Sequence, residues 1–131
     1  MKISFSSRYE DKSQEFMEKL KKNFARVMFT MEADARRLVP VDTGLLRNST
    51  NLHKISDLHY ELIAGTTYAS DVEFGTKPHE IRPVKAKALH FTAGDGEVFA
   101  KMVWHPGTNA QPYMRPAYWM ARENIKMIIK Q

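Results

Sequence analysis

The chain reads as an α+β protein: a long N-terminal helix and a C-terminal helix packed on an antiparallel sheet of four or five strands. Three observations predict this. Apolar residues recur every three or four positions from about Glu10 to Leu38, short alternating runs fill the middle of the chain, and the helical period returns after Pro112. A length of 131 residues and an apolar fraction of 43% suit one soluble domain with a modest core.

Lys2-Ile-Ser-Phe5 alternates and reads as either a short edge strand or an irregular start. In the first helix Leu20, Phe24, Val27, Met31, Ala35 and Leu38 form one apolar stripe. Glu15–Lys19, Glu18–Lys22 and Glu32–Arg36 are i,i+4 pairs in the favoured order on the other faces. At about 1.5 Å per residue this helix is roughly 40 Å long, more than so small a domain covers. Phe16, Met17, Met28 and Phe29 widen the stripe, so part of the helix is expected to pack on a neighbouring subunit.

Pro40 ends the helix, because it has no N–H and disfavours helical geometry at Val39. Asp42 and Thr43 can bond nearby backbone N–H groups, and Gly44 tolerates a positive φ. Thr43 is placed to cap a short turn through Leu45 and Leu46, read as two apolar anchors. Ser49–Lys54 and Leu58–Gly65 read as strands joined at Ser56-Asp57, with Leu58, Tyr60, Leu62 and Ala64 on one face. Tyr68 to Thr76 reads as one helical turn closed by Gly75, held down by Tyr68, Val72 and Phe74.

Pro78 and Pro83 make residues 77–86 a loop without regular structure. Lys87–Thr92 and Glu97–Trp104 read as a hairpin through Ala93-Gly-Asp-Gly96, with Val98, Ala100, Met102 and Trp104 along one face. His105-Pro106-Gly107-Thr108 breaks that strand. Pro116 suits the first turn of the last helix, whose apolar positions are Ala117, Met120, Ala121, Ile125, Ile128 and Ile129.

Composition narrows the function. Lys plus Arg is 20 against 15 for Asp plus Glu, a formal charge of +5 spread over the whole chain. One local concentration, Lys77, Arg82, Lys85 and Lys87 with His79 and His90 near, is opposed only by Glu80. Such a loop contacts DNA phosphate or an acidic protein surface, or is merely solvated. There is no Cys, hence no disulfide framework and no thiolate nucleophile. No apolar run approaches the roughly 18–20 residues of a membrane span, and the N-terminus lacks the apolar core of a secretory signal.

No paired histidine spacing, nucleophile elbow or phosphate-binding glycine loop is present, so no enzyme, metal or cofactor is expected. Asp42, Glu73 and His105 are the one set that folding could bring together for acid–base work. Aromatic residues such as Tyr68, Phe91 and Trp104 would serve base stacking, but no nucleic-acid-binding motif is legible.

Pro40-Val-Asp-Thr-Gly-Leu-Leu-Arg-Asn-Ser49, Tyr68-Ala-Ser-Asp-Val-Glu-Phe-Gly-Thr76, Lys87-Ala-Leu-His-Phe91, and His105-Pro-Gly-Thr108 with Gln111-Pro-Tyr-Met-Arg-Pro-Ala117 follow one another in order. Together they resemble the head–tail joining family, also called neck or tail-completion proteins, of long-tailed double-stranded DNA phages and prophages. The matching positions are Pro40, Val41, Asp42, Thr43, Gly44, Leu46, Arg47, Tyr68, Ala69, Glu73, Phe74, Gly75, Thr76, Pro106, Gly107, Pro112, Pro116 and Ala117. Tyr113 departs from the Phe expected after the proline.

The resemblance implies a structural virion protein, assembled in the host cytoplasm into a homo-oligomeric ring, sixfold or twelvefold, at the capsid–tail junction. The implied neighbours are the connector or head-completion protein and the tail-terminator or tail-tube protein, with nonspecific contact to DNA in the channel and none with membrane. Pro40, Asp42, Thr43, Gly44, Gly75, Pro106, Gly107 and Pro116 read as fold-defining corners. Arg47, Glu73, Lys77, His79, Arg82, Lys85 and Lys87 are the expected subunit or partner contacts. The rival readings are a nonspecific DNA-binding protein and a small hydrolase built on Asp42, Glu73 and His105.

Overall fold

The computed structural model describes residues 6–130, so the reading of Lys2–Phe5 lies outside the described residues. Its elements, in chain order, are α1 (Ser6–Leu38), α2 (Leu45–Ser49), β1 (Thr50–Ser56), β2 (His59–Ala64), α3 (Ala69–Phe74), β3 (His79–Ile81), β4 (Leu89–Ala93), β5 (Gly96–Ala100), β6 (Val103–His105) and α4 (Met114–Ile129). The mixed architecture with long terminal helices and antiparallel strands is as the sequence predicts. The single sheet of four or five strands is not: the strands form three separate pairs, β1–β2, β3–β6 and β4–β5. The chain divides into two compact units, one comprising residues up to Ala69 with those from Pro112 onward, the other Ser70–Gln111.

The first unit is built on the α1 stripe. Val27, Met28, Met31 and Ala35 are buried with Ala117 and Ala121 of α4. Alanines at these contact positions, with Ala35 and Ala117 wholly buried, let the two helices approach closely. The β1–β2 hairpin packs beside them, contributing Leu52, Tyr60 and Leu62, and the rings of Phe24 and Tyr60 lie 5.8 Å apart. Its register pairs Leu52 with Leu62 and Lys54 with Tyr60, and Ser56 with His59 after a bulge. The turn is therefore Asp57-Leu58, one residue later than expected; Lys54 Nζ closes it on the Asp57 carboxylate at 3.0 Å. Leu58 sits in that turn rather than in the strand, while Tyr60, Leu62 and Ala64 keep the half-buried face.

The Pro40 corner is held by a small network. Gly44 has φ +83°, and the Leu45 N–H donates to Thr43 Oγ1 at 3.3 Å. Only one of the two expected anchors is buried: Leu46 turns inward and Leu45 is exposed, because a one-and-a-half-turn helix shows a single face to the core. Buried Thr50 donates its hydroxyl to Leu46 O at 2.9 Å. Arg36 then straps α1 to the hairpin, donating from Nε to Thr50 O at 2.8 Å and from its fork to Asn51 Oδ1 and Glu32.

The second unit depends on backbone pairing. Gly75 (φ +74°) ends α3 as expected, and Thr76 and Thr108 exchange backbone hydrogen bonds at 3.0 and 3.1 Å. A side chain at Gly107 (φ +84°) would run into the carbonyl of Thr76, so the two strands meet here only because glycine leaves room. Val72 is half-buried, Tyr68 is 39% exposed and Phe74 63% exposed, so of the three expected anchors Val72 is the one most covered. Residues 77–86 are not wholly irregular either. Pro78 and Pro83 bracket β3 rather than forbid it, and His79, Glu80 and Ile81 pair with His105, Trp104 and Val103.

The β4–β5 hairpin turns through Gly94-Asp95, and its second strand is shorter than predicted. Pairing with β4 stops at Ala100, the chain bends at Lys101-Met102, and β6 starts a new pair with β3. The bend resets the alternation. Val103 and His105 turn inward, leaving Met102 and Trp104 exposed instead of continuing the face of Val98 and Ala100.

Candidate functional site

Two surfaces carry the functional candidates, one in each unit. In the first unit α1, β2 and α4 diverge around an open groove of about 590 Å³. Phe24, Met28 and Met31 form its floor, with Tyr60 and Leu62 on one wall and Tyr118 and Ile125 on the other. Its charged lining is entirely basic: Arg115, Arg122 and Lys126 along one face of α4, with His59 across from them and no carboxylate among the lining residues. Lys126 bridges to Glu123 at 2.9 Å, so Arg122 is the more available cation. The groove arises because α4 meets α1 through alanines at one end and larger side chains flank the opening at the other.

In the second unit the expected contact residues fall along one strap. Lys77, His79, Arg82, Lys85 and Lys87 are all exposed. Their charge is partly spent locally, since Arg82 Nη2 sits 3.2 Å from the Glu80 carboxylate. His79 donates from Nδ1 to Lys77 O at 2.7 Å, and its ring lies 5.1 Å from that of His105. His105 Nδ1 accepts the Gly107 N–H at 3.0 Å, which leaves the proton of a neutral ring on Nε2. That bond gives His105 a structural task, fixing the turn that Pro106 and Gly107 begin.

Arg47 is exposed on α2 and belongs to the first unit, apart in sequence and unit from the strap. Glu73 is buried, 4% exposed, so its carboxylate is not part of the single chain's surface. Of the possible acid–base set, Asp42 belongs to the first unit and Glu73 and His105 to the second. Among the described residues no three His, Asp or Glu side chains come together as metal ligands, and no helix is long and apolar enough to cross a membrane.

The groove is the feature that sequence reasoning missed. Its walls were individually legible in the Tyr60–Leu62 alternation and the α4 period, but their convergence on α1 depends on tertiary packing. No protein-family model, curated protein or solved structure matches this chain.

Proposed function

We propose that this chain is a structural subunit of the head–tail junction of a long-tailed phage, assembling with copies of itself into a ring around the DNA channel. The ordered motifs from Pro40 to Ala117 support the choice of family. The observation that carries self-assembly is apolar surface left uncovered in one copy. Phe16 and Phe29 on α1, Trp119 on α4, and Phe99 and Trp104 in the second unit are each more than half exposed. We read these five rings as surface that neighbouring copies would cover. The strap of Lys77, Lys85 and Lys87 supplies positive charge for an acidic neighbour or passing phosphate.

Light scattering over a concentration series tests the reading. The expected outcome is a rise from the 15.2 kDa chain mass to a closed multiple, with rings visible by negative-stain microscopy. A monomer at every concentration that also binds duplex DNA with a steep salt dependence would replace this proposal with the DNA-binding alternative.

A further inference from the structure

We propose that the apolar groove of the first unit receives the β4–β5 hairpin of a second copy of this chain. The inference rests on the self-assembly reading and names the surfaces that would perform it.

The β4–β5 hairpin gains no further strand from the rest of its unit. β4 and β5 pair only with each other, and a lone two-stranded ribbon is marginally stable in water. It nevertheless carries Phe99 outward, 69% exposed and stacked on His90 at 4.7 Å, while Phe91 lies on the other face, toward Ile81 and Val103. Such a ribbon gains most from a partner surface that covers its Phe99 face.

Charge decides which surface that is. Between Leu89 and Ala100 the hairpin holds two carboxylates, Asp95 and Glu97, and no Lys or Arg; His90 Nε2 lies 3.5 Å from Glu97, leaving Asp95 at the tip the more available. The groove presents the opposite pattern, an apolar floor with basic residues along its α4 wall, of which Arg122 is more available than the Glu123-bridged Lys126, and no acidic lining residue. An aromatic side chain entering an apolar cleft while carboxylates meet a basic rim is the usual anatomy of a specific interface. The two surfaces are different patches of the same chain, so the contact is heterologous. Each copy offers one groove and one hairpin, and the contact repeats from copy to copy until it closes.

Because the chain has no cysteine, single-cysteine variants report the contact cleanly. Thr92→Cys on the hairpin and Leu58→Cys at the groove mouth both replace exposed residues and leave the proposed charges intact. A mixture of these two variants under mild oxidation is expected to give a covalent dimer. Thr92→Cys mixed with Lys22→Cys, on the opposite face of α1, is expected to give little. Phe99→Asp is expected to raise the half-assembly concentration by about 30-fold, the effect of losing a central aromatic anchor. Glu97→Lys and Arg122→Glu should each weaken assembly, and their combination should restore it.

If the wild type assembles but the Thr92–Leu58 mixture cross-links no better than the control and Phe99→Asp has no effect, this interface is wrong and self-assembly stands. A disulfide formed within one chain carrying both substitutions, at monomer mass, also overturns it. A wild type monomeric throughout overturns the self-assembly reading and this interface together.

Discussion

Among the described residues every buried apolar side chain belongs to the first unit, whereas in Ser70–Gln111 the one buried side chain is the carboxylate of Glu73. The first unit is held by side-chain packing, Met31 and Ala35 against Ala117 and Ala121. The second is held by hydrogen-bonded strand pairs and glycine-dependent turns at Gly75 and Gly107. The contrast teaches that one small chain can use two different means of staying folded, and that the two should fail under different substitutions.

The largest expected effect lies in the packed unit. Met31→Ala removes a buried side chain between the helices and should lower stability by about 2–5 kcal/mol, read from urea unfolding. A loss well below 1 kcal/mol would mean that the helix pair is not where the stability resides. Gly107→Ala should act on the other unit, costing about 1–3 kcal/mol for the left-handed backbone alone. Hydrogen exchange should show faster opening at the Thr76 and Thr108 amides with little change in α1; equal acceleration in both units would erase the distinction.

Arg36→Lys keeps a charge but loses the fork that holds Thr50 O and Asn51, and should cost about 1 kcal/mol. Its effect should appear in the first unit alone. The smallest effect concerns the Asp57 turn. A side-chain hydrogen bond from Lys54, with its charge, holds the Asp57 carboxyl below its ordinary value of 3.8 and raises Lys54 above 10.5. Folding therefore gains from Asp57 above about pH 4, and the gain is lost as pH falls through the lowered value. The Lys54 part is present below 10.5 and lost as pH rises through the raised value. Both side chains are more than half exposed, so Asp57→Asn should flatten the acid limb of the stability profile only slightly. An unchanged limb would show that the pair does not contribute.

The packed unit was also the more legible in sequence. The period of α1, the Pro40 corner and the return of the period after Pro112 are local signals, and each element formed close to where those signals put it. The second unit hid its plan because its decisive pairing is distant. His79 pairs with His105, and nothing near Pro78 announces a partner strand that far along the chain. The run from Glu97 to Trp104 looked continuous because alternation carries through Lys101-Met102, although the pairing partner changes there. Glu73 was read as a surface contact from its motif position, whereas its burial depends on what the folded chain lays over it. The groove was invisible for a similar reason, since Tyr60, Tyr118 and Arg122 are neighbours only once the helices have packed.

The Gln111 N–H donates to Val72 O at 2.8 Å, beside the paired threonines at 76 and 108, so the excursion begins and ends at one place. In topological terms the stretch between is a cassette: its two ends are stitched before any of its interior is specified. The Ser70–Gln111 unit thus carries its own closure, independent of the side-chain packing that holds the other unit.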